Sequence, residues 1–318
     1  MMRKIKIGFI GTGKIANYHA KAFLKSNFKI EAVAASQNSK RAKMFANKYN
    51  AKYFFRSSKE LAQNAHKFLD CILICCKTEK SLSYIKLIRK IPILCEKPVS
   101  LNYKDIEKTK NKKVFVGYNR RFYNSVNIFK KELKKNKKFI VNVELPEKIF
   151  NSSQKKIRFS NVFENSVHMF DLINYIFDEP KLIKNSNLKN LPQLRSLQFM
   201  TKKKNFINLL CNWNSSSNFK IEAFSDNKRF LLQPIEKIKI FQGINIINPT
   251  KKTPFRQYKP KTIYVSNFKK KEKQFKPGFK DQAEEFYKIV VKNKIHDMKF
   301  AKLDDAIKAL KIAKEATK

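Results

Sequence analysis

The stretch GFIGTGKIANYHA, Gly8 to Ala20, decides how this chain is read. Only six glycines occur in 318 residues, and three of them stand at positions 8, 11 and 13. Glycine tolerates unusual backbone angles and lets another group approach the main chain closely. The segment GTGKIA (11–16) reads as G-x-G-x-x-A, with alanine in the third small position. It follows the strand-like KIKIGFIG (4–11) and opens a helical run from 13 to 25, the setting in which such a turn cradles a dinucleotide. Gly11 then makes the tight turn, and Gly13 lets the backbone meet a pyrophosphate at the helix N-terminus. Ala16 allows the helix to pack closely on the sheet, while Thr12, Lys14 and Ile15 complete the expected cradle. An ordinary strand-to-helix turn is the alternative.

Working outward, apolar strands alternate with amphipathic helices up to residue 118. The strands are 4–11, 29–36, a short one around KYFF, 68–76, 91–98 and 112–119. That alternation predicts an α/β fold, a doubly wound parallel Rossmann sheet with helices on both faces. Beyond it, a helix (122–135), the strand KFIVNVELP, an irregular polar stretch (147–163) and an apolar helix (164–177) lead to five strand-like runs between 194 and 242. Consecutive strands predict a C-terminal α+β domain built on a mostly antiparallel open sheet. The expected division is 1–118 and 119–318, with helices 280–291 and 303–316 closing the second domain. Region 247–278 shows the least pattern.

Composition narrows the classes. The longest strongly apolar run, CILICC (71–76), is far too short for a membrane helix, and the N-terminus lacks a signal-peptide pattern. The five cysteines (71, 75, 76, 95, 211) lie in apolar runs without metal-ligand spacing, so no metal site is expected. Buried free thiols suit a reducing, cytoplasmic setting. The formal charge of +45 invites a nucleic-acid reading. Its lysines are scattered along the whole chain beside abundant Asn, Ile and Phe, which points to compositional drift and no specific nucleic acid.

A carboxylate at the end of the second strand binds the ribose hydroxyls of NAD, whereas small polar and basic residues accommodate the 2′-phosphate of NADP. Here AASQNSKRA offers Ser36 and Gln37, with Lys40 and Arg41 nearby and no carboxylate. NADP is somewhat favoured over NAD, although Lys40 and Arg41 read equally as surface charges.

Two further motifs carry chemistry. CEKPVS (95–100) follows the fifth strand, and ENSVHMFDLINYIF (164–177) is a helix. Glu164, His168 and Asp171 fall at i, i+4 and i+7, on one face of an otherwise apolar helix. Such a stripe is expensive to bury unless its members pair or work. A polar seam between domains is the competing explanation.

Together these pieces resemble the Gfo/Idh/MocA family of oxidoreductases, which includes glucose-fructose oxidoreductase and inositol dehydrogenase. The resemblance rests on GFIGTGKIANYHAKAF, CEKPVS, VGYNRRFYNSV (116–126) and the helix around His168. The last two look most like the surface-polysaccharide and sugar-nucleotide branch. It implies a two-domain NAD(P)-dependent dehydrogenase with its sugar, sugar-nucleotide or polyol substrate between the domains. By that resemblance the lysine matching Lys97 lies near the reacting hydroxyl and the nicotinamide, and the histidine matching His168 is the general acid/base. Glu164 orients His168, and Glu96 borders the nicotinamide. An imidazole titrates in the right range to take a hydroxyl proton, and an ammonium nearby stabilises alkoxide charge.

Asn119, Arg120, Arg121 and Tyr123 follow the last Rossmann strand at the ligand-binding end, and with Lys97 and Asp171 they are the substrate candidates. For the two arginines, an ion pair between domains is the equal alternative. The loop CCKTEKSLS departs from the family. Lys77 and Ser81 stand where a proline and a histidine are usual, while Cys75 and Thr78 remain candidate cofactor contacts. Glu164 replaces the usual aspartate. His19 is read as structural on the first helix, His66 and His296 as surface residues, and Trp213 as sheet core or domain interface. A catalytically silent dinucleotide-binding protein of a polysaccharide pathway is the rival reading. An open sheet face favours a homodimer or homotetramer.

Overall fold

The strand–helix alternation of the first hundred residues folds as a βα series in the computed structural model. It describes residues 3–36, 39–88, 90–109, 111, 113–148, 159–163, 165–188, 190–266, 274–292 and 299–318. In chain order the first part contains β1 (Ile5–Ile10), α1 (Lys14–Leu24), β2 (Phe28–Ala34), α2 (Lys40–Lys48), β3 (Tyr53–Phe55), α3 (Ser58–Asn64) and β4 (Cys71–Ile74). It continues with α4 (Thr78–Leu87), β5 (Ile93–Cys95), α5 (Tyr103–Glu107) and β6 (Val114–Val116). These strands form one six-stranded sheet in the order β3-β2-β1-β4-β5-β6, and every pair is parallel. The order reverses between β1 and β4, so the carboxyl ends of those two strands flank the crevice where ligands of such sheets bind. Ile7, Phe9, Ile72, Leu73, Ile93 and Leu94 are fully buried, as strands covered on both faces require.

The second part contains α6 (Asn124–Leu133), β7 (Ile140–Glu144), α7 (Ser166–Phe177), β8 (Lys181–Leu188), β9 (Leu191–Met200) and β10 (Phe206–Asn212). There follow β11 (Lys220–Ser225), β12 (Lys228–Leu232), β13 (Ile238–Ile247), β14 (Gln257–Val265), α8 (Phe279–Lys292) and α9 (Leu303–Ala316). The eight strands pair in the order β14-β13-β12-β11-β7-β10-β9-β8, antiparallel except for β7 with β10. Val141, Val143, Ile207, Leu209, Ile221 and Ala223 point to the buried face, while Phe129 of α6 packs 6.3 Å from Phe230 of β12. On the opposite face Phe206, Ile140 and Phe224 stand side by side in register and are all exposed.

β8 and β14 have no counterpart in the sequence reading. They are the two edge strands and are exposed along nearly their whole length, so neither shows the alternation that marks a half-buried strand. Pro260 and the flanking Lys259 and Lys261 in β14 suit an edge, where a missing N–H or a charge discourages further pairing.

The chain divides into two compact units, 1–122 with 270–312, and 123–269 with 313–318. The sequence reading gave both C-terminal helices to the second domain. In the structure α8 packs on α1, with Phe286 centred 6.1 Å from Phe23 and Phe279 6.1 Å from Tyr18. The segment before α9 reaches β6, where Val116 N–H donates to Ala301 O at 2.8 Å. Phe23, Phe28, Phe115, Phe286 and Phe300 form one aromatic cluster, each ring contributing about 1.5–3 kcal/mol on burial. Amphipathic periodicity shows that a helix has a buried face, not which sheet receives it.

Candidate functional site

The three clustered glycines have three different reasons to be glycine. Gly8 lies inside β1, and a Cβ there would stand 2.4 Å from the Leu69 side chain. Gly11 has φ +104°, and its Cβ would meet the Cys75 carbonyl oxygen at 2.5 Å and the Cys76 nitrogen at 2.7 Å. The turn is therefore pressed against the end of β4 by the chain itself. It is pinned there because Gly11 N–H donates to Ala34 O (2.9 Å) and the Cys75 thiol donates to Gly11 O (3.2 Å). Burial first, and the Glu96 charge second, push the Cys75 thiol well above its ordinary pKa, which keeps it a donor.

Gly13 is different. It is the N-cap of α1 at an ordinary φ of −72°, makes no side-chain cap, and among the described residues has nothing within 4 Å of where a Cβ would be. Neither backbone strain nor packing asks for glycine here. The N-terminal N–H groups of an eleven-residue helix and an open space beside them, at the sheet's switch point, fit a dinucleotide pyrophosphate. Thr12 is buried, Lys14 exposed and Ile15 half-buried, while Ala16 is fully buried under the helix.

At the end of β2, Ser36, Lys40 and Arg41 are exposed, and Gln37 lies outside the described residues. Ser39 is taken up as the N-cap of α2, accepting from Ala42 N–H at 3.2 Å. Beyond β4, Thr78 opens α4 and is half-buried, and Ser81 is buried with its hydroxyl 3.8 Å from the Cys76 sulfur. All five cysteines are free thiols.

After β5 the chain turns through Glu96, Lys97 and Pro98, with a cis Lys97–Pro98 bond. The Glu96 side chain is only 14% exposed, and its Oε1 accepts from His19 Nε2 on α1 at 2.6 Å. Its Oε2 accepts from the Lys97 N–H at 3.2 Å. Burial raises the Glu96 pKa, but the hydrogen bond and charge of His19, followed by Lys97, outweigh it and hold the carboxyl below its ordinary range. Lys97 itself is half-buried.

The turn after β6 carries the next candidates. Asn119 is buried and donates from Nδ2 to Pro277 O at 2.9 Å. Arg121 is 3% exposed with its Nη2 3.2 Å from Asp305 Oδ1, at the start of α9. Both partners of that ion pair lie within the first unit. Arg120 is half-buried.

In the second unit His168 and Asp171 are 6% and 1% exposed on α7, a helix buried on almost every side. Glu164 lies outside the described residues. The N-terminus of α7 is held by a residue that the sequence did not single out. Glu147, 9% exposed, accepts from Asn165 N–H and Nδ2, from Ser166 N–H at 2.7 Å and from Ser166 Oγ at 2.8 Å. Trp213, fully in the core, donates from Nε1 to the same Ser166 hydroxyl at 3.0 Å. Tyr123 is buried, and its carbonyl accepts from Asn127 Nδ2. His66 is exposed as expected, and His296 lies outside the described residues.

Glu147 was missed because a lone glutamate after a strand has no periodicity to betray it. Asp305 had a weak signal, an acidic pair in the first turn of a helix, which reads first as dipole complement.

Comparison with known proteins follows the same lines. Residues 5–118 match the Gfo/Idh/MocA family model, described as an oxidoreductase family with an NAD-binding Rossmann fold. Myo-inositol 2-dehydrogenase of Thermotoga maritima is 29% identical over 126 residues. That match covers 37% of this chain and 37% of that protein, so the chain spans little more than a third of the curated relative it matches. Among solved structures, an oxidoreductase from Thermotoga maritima superposes with a TM-score of 0.70 at 19% identity, covering 99% of this chain and 96% of that one. The myo-inositol dehydrogenase of Lactobacillus casei, in complex with NAD(H) and myo-inositol, gives 0.68 at 14% identity over 98% and 93%. These likenesses establish the fold over both units. The likeness to the Gfo/Idh/MocA oxidoreductase family, with its NAD-binding Rossmann fold, lies in residues 5–118.

Proposed function

We propose that the protein is a dehydrogenase or reductase that moves a hydride between a nicotinamide dinucleotide and a CH–OH or keto carbon of a polyol, sugar or sugar nucleotide. The observation that carries the reading is Gly13, a glycine that neither φ nor packing requires, opening a helix N-terminus at the switch point of a Rossmann sheet. The Gly11–Ile15 turn would hold the pyrophosphate, and the bound nicotinamide supplies the hydride chemistry. Polyols are favoured because the two inositol dehydrogenases above act on, or are bound to, myo-inositol.

His168 is assigned the proton transfer to and from the substrate hydroxyl, with Glu164 four residues earlier orienting it. The Lys97 ammonium stabilises the developing alkoxide. Arg121 pairs with Asp305, and Arg120 beside it is assigned to an anionic substrate group. Exposed Ser36, Lys40 and Arg41, with no carboxylate among them, favour NADP over NAD. The exposed apolar row Phe206–Ile140–Phe224 is assigned to a second copy of the chain in a homodimer or homotetramer. Free buried thiols fit a cytoplasmic setting.

The test is a pair of variants, His168→Asn and Lys97→Met, assayed with NAD and NADP against a panel of polyols and sugars that includes myo-inositol. Turnover should fall by about a hundredfold or more in each while NADH or NADPH still binds. Undiminished turnover in both would overturn the assignment. A wild type that binds dinucleotide but turns over nothing would favour the silent reading.

A further inference from the structure

His19 lies on α1 about one and a half turns beyond Gly13, so it is rigidly connected to the phosphate cradle. Its ring is 1% exposed and packs 4.5 Å from the ring of Phe279 and 6.0 Å from that of Phe23, which leaves the imidazole little freedom to turn. From this fixed position Nε2 donates to Glu96 Oε1, and the second carboxylate oxygen receives the backbone N–H of Lys97. Gly117 of the neighbouring strand end makes room for the carboxylate, since a Cβ there would come within 3.2 Å of Glu96 Oε1 and 3.3 Å of Cys95 O. Glu96 N–H donates to Ile74 O and Gly117 N–H to Cys95 O, so backbone bonds tie the ends of β4, β5 and β6 together at the residue that carries this carboxylate.

Family resemblance places Glu96 beside the nicotinamide. The geometry points to a different duty: we propose that His19 and Glu96 form a strap that fixes the backbone at Lys97 relative to the helix whose N-terminus receives the dinucleotide phosphates. Both are positioning residues, and the Glu96 carboxylate is spent on the protein's own helix. The strap rests on the proposed function only in naming Lys97 and Gly13 as the two points to be kept in register. Such register matters because a displacement of about 1 Å at a reacting group costs about a hundredfold in rate. A shared carboxylate meets that need with buried, charge-assisted hydrogen bonds, which resist solvent competition.

Hydrogen–deuterium exchange on the full chain, with and without NADH, tests the strap. The variants are His19→Leu, which removes the donor, and His19→Gln, whose amide can still donate. In His19→Leu the Lys97 and Val99 amides should exchange about tenfold faster while β1 and the rest of α1 keep their protection. His19→Gln should restore most of it, and the NADH dissociation constant should stay within about threefold in both, because the phosphate cradle is untouched. If His19→Leu does not fold, Glu96→Ala, which removes the acceptor, replaces it, with the same acceleration expected at Lys97. Unchanged exchange at 97–99 would overturn the strap, and so would faster exchange throughout the unit, which marks a packing role only. A wild type that does not bind NADH, yet shows the local acceleration in His19→Leu, would support the strap and overturn the proposed function.

Discussion

Two helix N-termini in this chain are built in opposite ways. At α7 the chain supplies its own anion, the buried Glu147 carboxylate, which receives four donors from Asn165 and Ser166. At α1 the equivalent position is Gly13, with no side-chain cap and, among the described residues, nothing where a side chain would be. Both ends carry the same partial positive charge and the same unsatisfied N–H groups. One has been closed by the protein, and its task is to hold a helix in place. The other has been kept open, as the proposed dinucleotide site requires. An open N-terminus means a site only because its closed counterpart shows how this same chain finishes a helix it has no use for as a receptor.

Gly11→Ala is the severest way to break this arrangement. A residue at φ +104° with the Cys75 carbonyl 2.5 Å from its Cβ must move the end of β4. We expect a loss of at least about 3 kcal/mol in chemical denaturation and little recoverable folded protein. Glu147→Ala empties the closed N-terminus. It should cost about 3 kcal/mol, since a buried charged acceptor is removed from several donors. If α7 then shifts, His168-dependent turnover should fall further than stability does, and a thermal melt beside a rate at saturating substrate separates the two.

A smaller effect comes from Glu96. Its carboxyl pKa lies below the ordinary value in the folded chain, so it contributes stability above about pH 4.5 that is lost as the pH falls through the lowered value. The Glu96→Gln variant should therefore show a shallower decline of stability below about pH 4.5 than the wild type. Parallel curves would show that the His19 pair contributes nothing.

How much of this was legible in the sequence follows the same division. The βα alternation, the Gly11–Gly13 turn and the strand-end placement of Glu96 and Lys97 are local patterns, and the structure places each where periodicity puts it. Edge strands β8 and β14 were invisible because neither is half-buried. The placement of α8 depended on which aromatic cluster accepted Phe279 and Phe286, a long-range choice with no local mark. Glu147 and the Glu96–His19 pair were unreadable for a related reason. Each joins residues 18 to 77 positions apart through a single buried carboxylate, and one carboxylate has no period.

The most direct test of the account is Gly13→Asp, which closes the open N-terminus in the way Glu147 closes the other. The backbone there is extended, and the space is free, so aspartate should cap α1 and leave stability unchanged or higher by a few tenths of about 1 kcal/mol. NADH and NADPH binding, followed by fluorescence titration, should weaken by about a hundredfold or more, because a carboxylate would occupy the phosphate position. A variant that melts with the wild type and has lost dinucleotide binding is the predicted result. A variant that binds as tightly as the wild type would show that the cofactor does not sit at Gly13, and would contradict the account.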